Sequence, residues 1–411
     1  MPARRAALKL LDAVLRRGQA LESALDAAAR DLGQANDRAL AHAIAAEVLR
    51  RLPDLDALSD SATARPLPDD AKARFALRIA LTQALALGTP PHAAISTVLP
   101  LVDGGPRKLV HGVFGTLMRR GAALPEAPTL PEPVAARWRQ AWGEAVVDAA
   151  ARAFAAPPPL DLTLKDAAWD GGIGGTRLLP GHIRLAGHAP MPQLPGYAEG
   201  AWWVQDIAAS LPARLIGAGA GRAIDVCAAP GGKTLQLAAA GWQVAALDIS
   251  ASRLARLSDN LARTGLAAET VAADALAWAP PEPADAVLLD APCSATGIFR
   301  RHPDVLHRVS PGLIEEAAAL QAKMLARVAD WVRPGCTLVY ATCSLEPAEG
   351  EAQIEAFLAA RPEYTIEPVR GEELPAGIAA APQGWVRTVP GMLEAEGGCD
   401  GFFIARLKRV A

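Results

Sequence analysis

The sequence is poor in several features that would define its class. Five cysteines among 411 residues, without regular spacing, argue against a disulfide scaffold and predict reduced thiols. No apolar run approaches the roughly 20 residues that a membrane helix needs, and charged residues near the N-terminus argue against a signal peptide. The seven histidines show no ligand spacing with cysteine, so we expect no metal site.

The net charge of the chain is also small. The formal charge is −3, which gives no global indication of a nucleic-acid partner and leaves that question to local clusters. A length of 411 residues with 51% hydrophobic content predicts two or three globular domains. Together these features predict a cytoplasmic, monomeric protein without a metal or a membrane anchor.

The first 122 residues have an Ala- and Leu-rich helical pattern, and we predict an all-α domain there. Beyond a first helix ending near Gly18, helices are expected at 21–32, 36–52, 75–87, 93–101 and 108–120. Four basic residues bracket the last of these, namely Arg107, Lys108, Arg119 and Arg120. Such charges can be a solvated helix face or a phosphate-binding surface, and the pattern alone leaves both open.

The next stretch changes in composition. Residues 121–133 are proline-rich and resemble a linker, and a helix is expected at 134–155. Residues 160–200 are rich in Gly and Pro, and we predict a small α+β subdomain within 123–200. From residue 201 to residue 411 strands alternate with helices, which predicts a parallel sheet with right-handed crossovers.

Three pieces of this third region carry the candidate chemistry. They are DVCAAPGGKT at 225–234, LLDAPCSATG at 288–297 and VYATCSLEP at 339–347. Each begins as an apolar strand and breaks into small, reactive residues. Because ligands in open α/β sheets bind beyond the carboxyl ends of the strands, the three pieces should share one crevice.

The glycine-rich loop indicates the kind of ligand. AAPGGK is not the GxGxxG of dinucleotide sites, and Cys227 stands where a Walker A loop requires glycine. What remains is a tight turn, with Gly231 and Gly232 allowing close approach to the backbone. Asp248 and Asp274 follow the next two predicted strands, where carboxylates could meet a ribose and an adenine. The set fits an adenosine-type ligand without a phosphate chain, which points to S-adenosylmethionine.

Two cysteines lie where a thiolate could act. Most cysteines are buried small hydrophobes, which suits Cys227 and Cys336, but Cys293 and Cys343 both follow strand ends over the crevice. A thiolate that adds to carbon 6 of a pyrimidine activates carbon 5 toward a methyl donor. Asp290 precedes Cys293 by three residues and could lie near the ring nitrogen.

These pieces resemble the RNA 5-methylcytosine methyltransferase family, and the whole chain resembles its bacterial Fmu (Sun) branch. DVCAAPGGKT, DAPCSATG, RRHPD and YATCS stand in the family's order and spacing. QDIAAS at 205–210 and DGFFIARLKR near the C-terminus also match. The N-terminal helices are similar to the NusB RNA-binding fold that this branch carries. The resemblance implies a Rossmann-like methyltransferase domain, with a mostly parallel seven-stranded sheet, preceded by the NusB-like bundle and the small subdomain.

The resemblance also implies roles for individual residues. Cys343 would be the nucleophile, Cys293 would assist product release, and Asp290 would lie near both the methyl donor and the base. Asp248 would hold the ribose and Asp274 the adenine side of S-adenosylmethionine. The rest of its site would be the loop, which comprises Cys227, Ala228, Ala229, Pro230, Gly231, Gly232 and Lys233. The implied substrate is a cytosine in 16S ribosomal RNA.

Some positions depart from the family pattern, and the partner prediction has alternatives. Where the family usually shows a Glu-Asn pair after the TCS sequence, this chain has Glu349-Gly350. The basic cluster of Arg300, Arg301 and Arg308 follows the Cys293 loop and is predicted to contact RNA phosphates. The alternatives are a tRNA cytosine-5 methyltransferase and an RNA-binding ribosome assembly factor without catalysis.

Overall fold

The computed structural model describes residues 2–187 and 190–410. The chain divides into two compact units, residues 1–157 with 299–309 and residues 158–298 with 310–411. The domain boundaries expected after residues 122 and 200 therefore differ from the division seen in the structure. The two helices within residues 132–154 belong to the first unit, and residues 158–200 belong to the second.

The first unit is helical throughout. One amphipathic helix, α7 (Gly104–Arg119), illustrates why: it buries Val110, Val113, Phe114 and Leu117, which recur at the helical period. The helices of this unit are α1 Pro2–Leu15, α2 Leu21–Ala28, α3 Ala35–Arg50, α4 Leu52–Ser61, α5 Lys72–Leu85, α6 Pro91–Val98, α7 Gly104–Arg119, α8 Glu132–Trp142, α9 Glu144–Phe154 and the short α13 Val305–Arg308.

Helix α5 is the centre of the bundle and is buried on nearly every side. Two of its buried residues are arginines, and each is paired. Arg78 makes two 2.8 Å hydrogen bonds to the Asp56 carboxylate, and Arg74 bonds Asp60 at 3.0 Å. A buried charge without a partner is costly, so these pairs allow an otherwise apolar helix to carry arginine.

Most of the predicted helices differ from the observed ones by a few residues at one or both ends, and two of the differences have a clear local cause. The predicted helix 36–52 ends at Arg50, and a separate helix α4 follows, with Pro53 in its first turn, where a missing N–H costs nothing. The predicted helix 134–155 is broken into α8 and α9 at Gly143, whose φ of +84° is left-handed.

The second unit contains two sheets. The smaller one has the order β2-β3-β1-β4 with antiparallel pairing, and its strands are β1 Leu160–Leu164, β2 Thr176–Leu179, β3 His182–Leu185 and β4 Trp202–Val204. A 3-10 turn, Met191–Gln193, is the only helical element in the described part of this region, where an α+β arrangement was expected.

A buried ion pair fixes the small sheet. Asp161 on β1 accepts hydrogen bonds from Arg184 Nε at 2.6 Å and Nη2 at 2.7 Å, and from the Ile207 N–H at 3.0 Å. Burial alone would raise the pKa of Asp161, but hydrogen bonds from Arg184 and His182 bring it below its usual range. The charge on Asp161 thus ties β1 and β3 to the chain that enters the larger sheet.

The larger sheet has the order β10-β12-β9-β8-β5-β6-β7, and β11 pairs with β12 outside this path. Neighbours from β9 to β7 are parallel, and the pairings of β12 are antiparallel. The predicted α/β sheet, mostly parallel and seven-stranded along this path, is confirmed, with β11 as an eighth strand. The strands are β5 Arg222–Val226, β6 Gln243–Asp248, β7 Glu269–Ala272, β8 Ala284–Asp290, β9 Val332–Thr342, β10 Tyr364–Ile366, β11 Val386–Thr388 and β12 Phe402–Arg409.

Helices cover this sheet, and the strand order reverses beside β5. The helices are α10 Ile207–Ile216, α11 Gly232–Ala239, α12 Ala251–Thr264, α14 Pro311–Ala329 and α15 Glu351–Ala360. Because β5 has β6 on one side and β8 on the other, loops leaving β5 and β8 diverge and open a crevice at their carboxyl ends.

Candidate active site

The glycine-rich loop leaves β5 and turns at once into α11. Cys227 has a φ of +63°, and Gly231, at the N-cap of α11, has a φ of +112°. This left-handed φ favours glycine at position 231, and a Cβ there would also lie 2.2 Å from Leu257 Cδ1, so that the Leu257 side chain would have to move. The Ala228 N–H donates to the Leu247 carbonyl at 3.0 Å, which holds the loop against the end of β6.

Two aspartates follow the neighbouring strands, as predicted. Asp248 at the end of β6 accepts from the Ala229 N–H at 3.2 Å and the Ser250 N–H at 2.9 Å. Asp274 lies two residues beyond β7 and accepts from the Leu276 N–H at 2.9 Å. Backbone donors therefore orient both carboxylates, which fixes the edge of the sheet where a ligand would bind.

Lys233 reaches across the crevice from the first turn of α11. Its Nζ lies 2.7 Å from Asp290 Oδ2, at the end of β8, and 5.4 Å from the centroid of the Phe402 ring. Burial alone would lower the pKa of Lys233, but the Asp290 carboxylate raises it above its ordinary value. Lys233 is therefore a fixed positive charge beside Asp290.

A cavity of about 550 Å³, a size typical of small-molecule sites, lies at these strand ends, and Cys227 is the one residue of the predicted loop 227–233 in its lining. Three large apolar side chains around it are exposed, with Ile249 73% exposed and Leu276 and Leu320 close to 40%. Its lining includes the predicted site residues Cys227, Asp248, Asp274, Asp290, Cys293 and Cys343. The structure thus brings together residues that are spread over more than a hundred positions of sequence.

The two predicted reactive thiols meet in this cavity, with their Sγ atoms 3.5 Å apart. Their loops are tied by two backbone hydrogen bonds, from the Ala291 N–H to the Ala341 carbonyl and from the Gly297 N–H to the Cys343 carbonyl, both at 2.9 Å. The neighbouring Cys343 thiol and then burial raise the pKa of Cys293 well above its ordinary value. Cys293 is therefore protonated near neutral pH.

Cys227 shares the cavity but has a different environment. Burial, followed by the charges of Asp290 and Asp248, raises the pKa of its thiol to about 12. A thiol with so high a pKa is a poor nucleophile. Cys227 therefore only lines the cavity.

One residue of this site was not singled out from the sequence as functional. Glu349 is fully buried, and its carboxylate accepts hydrogen bonds from the loops of both cysteines. The only sequence signal was its position in the pair Glu349-Gly350, after the TCS sequence, where the family pattern is altered.

The predicted RNA contacts fall into two groups. Arg107, Lys108, Arg119 and Arg120 are exposed on α7 and at its end, and their contact with RNA stays a prediction. The segment containing Arg300, Arg301 and Arg308 packs in the first unit, where Arg300 is 2% exposed and Arg308 Nε donates to the Gly18 carbonyl at 2.9 Å. Burial leaves the Arg300 side chain no surface for a phosphate, which corrects that prediction; Arg301 and Arg308 stay predictions.

The part of the chain that the structure describes contains neither a membrane-spanning helix nor a metal-binding cluster. Within 2–187 and 190–410, no helix is both long and apolar enough to cross a bilayer. In the same ranges, no group of three or more His, Cys, Asp or Glu side chains is arranged to hold a metal ion.

The fold and this cavity define a methyltransferase, and comparisons with known proteins agree. Residues 218–408 match the family described as 16S rRNA methyltransferase RsmB/F, and residues 1–116 match the NusB family. The curated Ribosomal RNA small subunit methyltransferase B of Klebsiella pneumoniae is 34% identical over 98% of this chain and 96% of its own length. Its counterpart from Xanthomonas campestris is 36% identical over 99% and 97%.

Solved structures share the fold at lower identity. The crystal structure of PH0851 is 22% identical, has a TM-score of 0.75 and covers 99% of this chain and 98% of its own. NSun6 from Pyrococcus horikoshii with SFG is 18% identical, has a TM-score of 0.59 and covers 68% of this chain and 98% of its own. The chain belongs to the 16S rRNA methyltransferase RsmB/F family, and the predicted family, the NusB-like N-terminal region and the enzyme class are confirmed.

Proposed function

We propose that this protein transfers a methyl group from S-adenosylmethionine to carbon 5 of a cytosine in 16S ribosomal RNA, through a covalent adduct with Cys343. The observation that carries the proposal is the pair of thiols, 3.5 Å apart, in a cavity that also contains Asp290. The curated relatives, named as small subunit ribosomal RNA methyltransferases, support the substrate.

The residues around the cavity fit S-adenosylmethionine. Asp248 is oriented by two backbone N–H groups at the end of β6 and would hold the ribose, while Asp274 and the exposed Ile249 and Leu276 would contact the adenine. Cys227 lines the cavity, and we propose that the rest of the loop up to Lys233 also contacts the cofactor. When bound, this cofactor supplies an electrophilic methyl group on a positively charged sulfur.

Cys343 is the nucleophile in this proposal, for two reasons. It follows directly on β9, a long strand whose last five residues are buried, so its sulfur is held in place over the cavity. Its partner Cys293 has a raised pKa and remains a thiol, so it can donate a hydrogen bond to the neighbouring sulfur. The Cys343 thiolate adds to carbon 6 of the cytosine, and the electron pair of the ring double bond becomes available at carbon 5.

Asp290 and Lys233 act on the ring while the adduct forms. Addition at carbon 6 places negative charge on the ring nitrogen, and a proton or positive charge held there lowers the barrier. The Lys233 Nζ lies 2.7 Å from Asp290 Oδ2. The Lys233 ammonium therefore makes both a proton and a positive charge available at that edge of the base. Carbon 5 would then take the methyl group that the bound cofactor supplies, and the electron pair of the broken carbon–sulfur bond would leave with the cofactor's sulfur.

Cys293 acts at the last step. After methylation, carbon 5 loses its proton to solvent, the double bond re-forms, and the bond between carbon 6 and the Cys343 sulfur breaks, its electron pair remaining on the sulfur. The Cys293 thiol, 3.5 Å from that sulfur, stabilises the departing thiolate by donating a hydrogen bond to it. Loss of Cys293 should therefore trap the adduct rather than prevent its formation.

RNA binding is assigned to the NusB-like region within residues 1–122. The exposed basic residues at the two ends of α7 support this assignment, because phosphate contacts supply most sequence-independent affinity for RNA. Residues 123–200 and 201–411 are then the connecting region and the catalytic domain. Access to the cytosine would require an unpaired or everted nucleotide.

The experiment uses full-length protein, S-adenosylmethionine with a labelled methyl group, and unmethylated 16S rRNA or tRNA. We expect label on carbon 5 of cytosine in 16S rRNA, no transfer by Cys343→Ala, and a covalent protein–RNA adduct with Cys293→Ala. Transfer to tRNA alone would contradict the substrate. RNA binding without transfer to either RNA would indicate the non-catalytic assembly factor.

A further inference from the structure

We infer that Glu349 is a positioning residue that sets the distance between the two active-site thiols. Glu349 lies in the 3-10 turn Pro347–Glu349, is fully buried and does not itself line the cavity. The inference rests on the proposed function for the meaning of that distance, but the geometry does not depend on it.

The carboxylate of Glu349 binds the residue that follows each cysteine. One oxygen, Oε1, accepts from the Ser294 N–H at 2.8 Å, and the other, Oε2, accepts from the Ser294 hydroxyl. The same Oε2 accepts from the Ser344 hydroxyl at 2.5 Å. Ser294 follows Cys293 and Ser344 follows Cys343, so a single carboxylate holds both loops at equivalent positions.

A glutamine on α14 reinforces this arrangement. Gln321 Nε2 donates to Glu349 Oε1 and to the Pro292 carbonyl, both at 3.0 Å, and so also holds the residue before Cys293. The Glu349 carbonyl accepts from the Tyr340 hydroxyl at 2.9 Å and the Thr342 hydroxyl at 3.1 Å. Because all of these groups lie in a buried network, moving one of them leaves polar atoms unsatisfied.

We expect the length of the side chain at position 349, rather than its charge, to determine how the two cysteine loops are held. A glutamine at position 349 keeps the length of the side chain: its oxygen can accept from the Ser294 N–H and Gln321, and its NH2 can donate to the two serine hydroxyls. Aspartate keeps the charge but is one methylene shorter and cannot reach both loops. Since a displacement of about 1 Å can cost roughly 100-fold in rate, length should decide the effect.

The test measures the thiol pair directly, without RNA or cofactor. Diamide accepts two electrons and two protons from a pair of thiols as their S–S bond forms, so its rate with Cys293 and Cys343 reports how often the sulfurs meet. Full-length wild type, Glu349→Gln, Glu349→Asp and Glu349→Ala would be oxidised, and the linked peptides quantified by mass spectrometry. Glu355→Ala, at an exposed position on α15, is the matched control.

We expect at least a tenfold slower cross-link in Glu349→Asp and Glu349→Ala, and a rate within about threefold of wild type in Glu349→Gln and Glu355→Ala. Melting temperatures identify variants that have lost the fold; if Glu349→Ala does not fold, Glu349→Asp decides. Wild-type cross-linking in folded Glu349→Asp would overturn the inference. Methyl transfer is measured separately, so a failed proposal for Cys343 chemistry would leave the cross-linking result interpretable.

Discussion

The two sides of the candidate active site are built in different ways. On the side of β5, β6 and β7, each functional group is held by its own strand end and by backbone donors nearby, as Asp248 is by Ala229 and Ser250. On the side of β8 and β9, two loops from different strands share one buried carboxylate, Glu349. Local backbone geometry is enough to orient the side chains that would bind a small ligand. Holding two sulfurs at contact distance requires a residue, here Glu349, that bonds to both of their loops.

The largest expected effect is a loss of methyl transfer, and it distinguishes the cysteine side of the site from the cofactor side. Cys343→Ala should abolish methyl transfer, by at least about 1,000-fold, while leaving S-adenosylmethionine binding within a few-fold of wild type. Asp248→Ala should weaken that binding by about 100-fold, because hydrogen bonds to a charged group contribute about 1.5–3 kcal/mol each. Calorimetric titration and single-turnover transfer measure the two effects.

The control for this pair is Asp259→Ala, at an exposed aspartate on α12, which should change neither quantity. Weakened cofactor binding in Cys343→Ala, equal to that of Asp248→Ala, would mean that the two sides are not separate.

A second prediction concerns Asp225 on β5, beneath the glycine-rich loop. Burial raises the pKa of Asp225 to about 7, although the Thr234 hydroxyl bonded to it acts in the opposite direction. Between about pH 4 and pH 7 the folded protein therefore binds a proton that the unfolded chain has lost, and the free energy of unfolding falls as pH rises. Asp225→Asn removes this loss, which amounts to up to about 4 kcal/mol.

Urea unfolding of wild type and Asp225→Asn across that pH window measures the difference, which should grow up to about pH 7 and then stay constant. Asp285→Asn is the opposite control: a hydrogen bond from the Arg222 N–H, together with the Arg333 ion pair, lowers the pKa of Asp285. Its variant should lose stability relative to wild type as pH rises through the acid range. Parallel curves for wild type and Asp225→Asn would contradict the prediction.

The smallest expected effect compares the two cysteine loops. A Cβ at Gly297 would lie 1.9 Å from the Gly401 carbonyl oxygen, a backbone atom, whereas a Cβ at Gly350 would first meet side-chain atoms, Arg387 Nη2 at 2.3 Å and Phe403 Cγ at 2.8 Å. Because backbone cannot move aside as a side-chain end can, Gly297→Ala should cost about 3 kcal/mol and Gly350→Ala about 1 kcal/mol.

Denaturant midpoints, compared at equal slopes, would measure these costs in the free energy of unfolding. The reverse order of the two variants would mean that the Cys293 loop is the more adaptable one.

Much of the first side could be predicted from the sequence, and the reason is local. The apolar strands, the glycine turn and the aspartates Asp248 and Asp274 are consecutive features, and parallel topology brings strand ends to one edge. Cys293 and Cys343 were found in the same way, because each follows its own strand.

The missed features depend on contacts between distant positions. Glu349 is one of many glutamates, and only the folded chain shows that Ser294, 55 positions away, donates to it. Arg300 stood in a basic cluster that suggested phosphate contact, yet its side chain is buried. Burial of a charged residue depends on packing that a local pattern does not contain, and the same applies to the break at Gly143.

The placement of β12 has a consequence for synthesis on the ribosome. This strand, Phe402–Arg409, lies between β9 and β10 although it follows both in the chain. Until it leaves the exit tunnel, the nascent chain presents β9 with one edge unpaired, directly next to the Cys343 loop. An unpaired strand edge can pair with another chain, so this edge stays open to such pairing until residue 402 emerges.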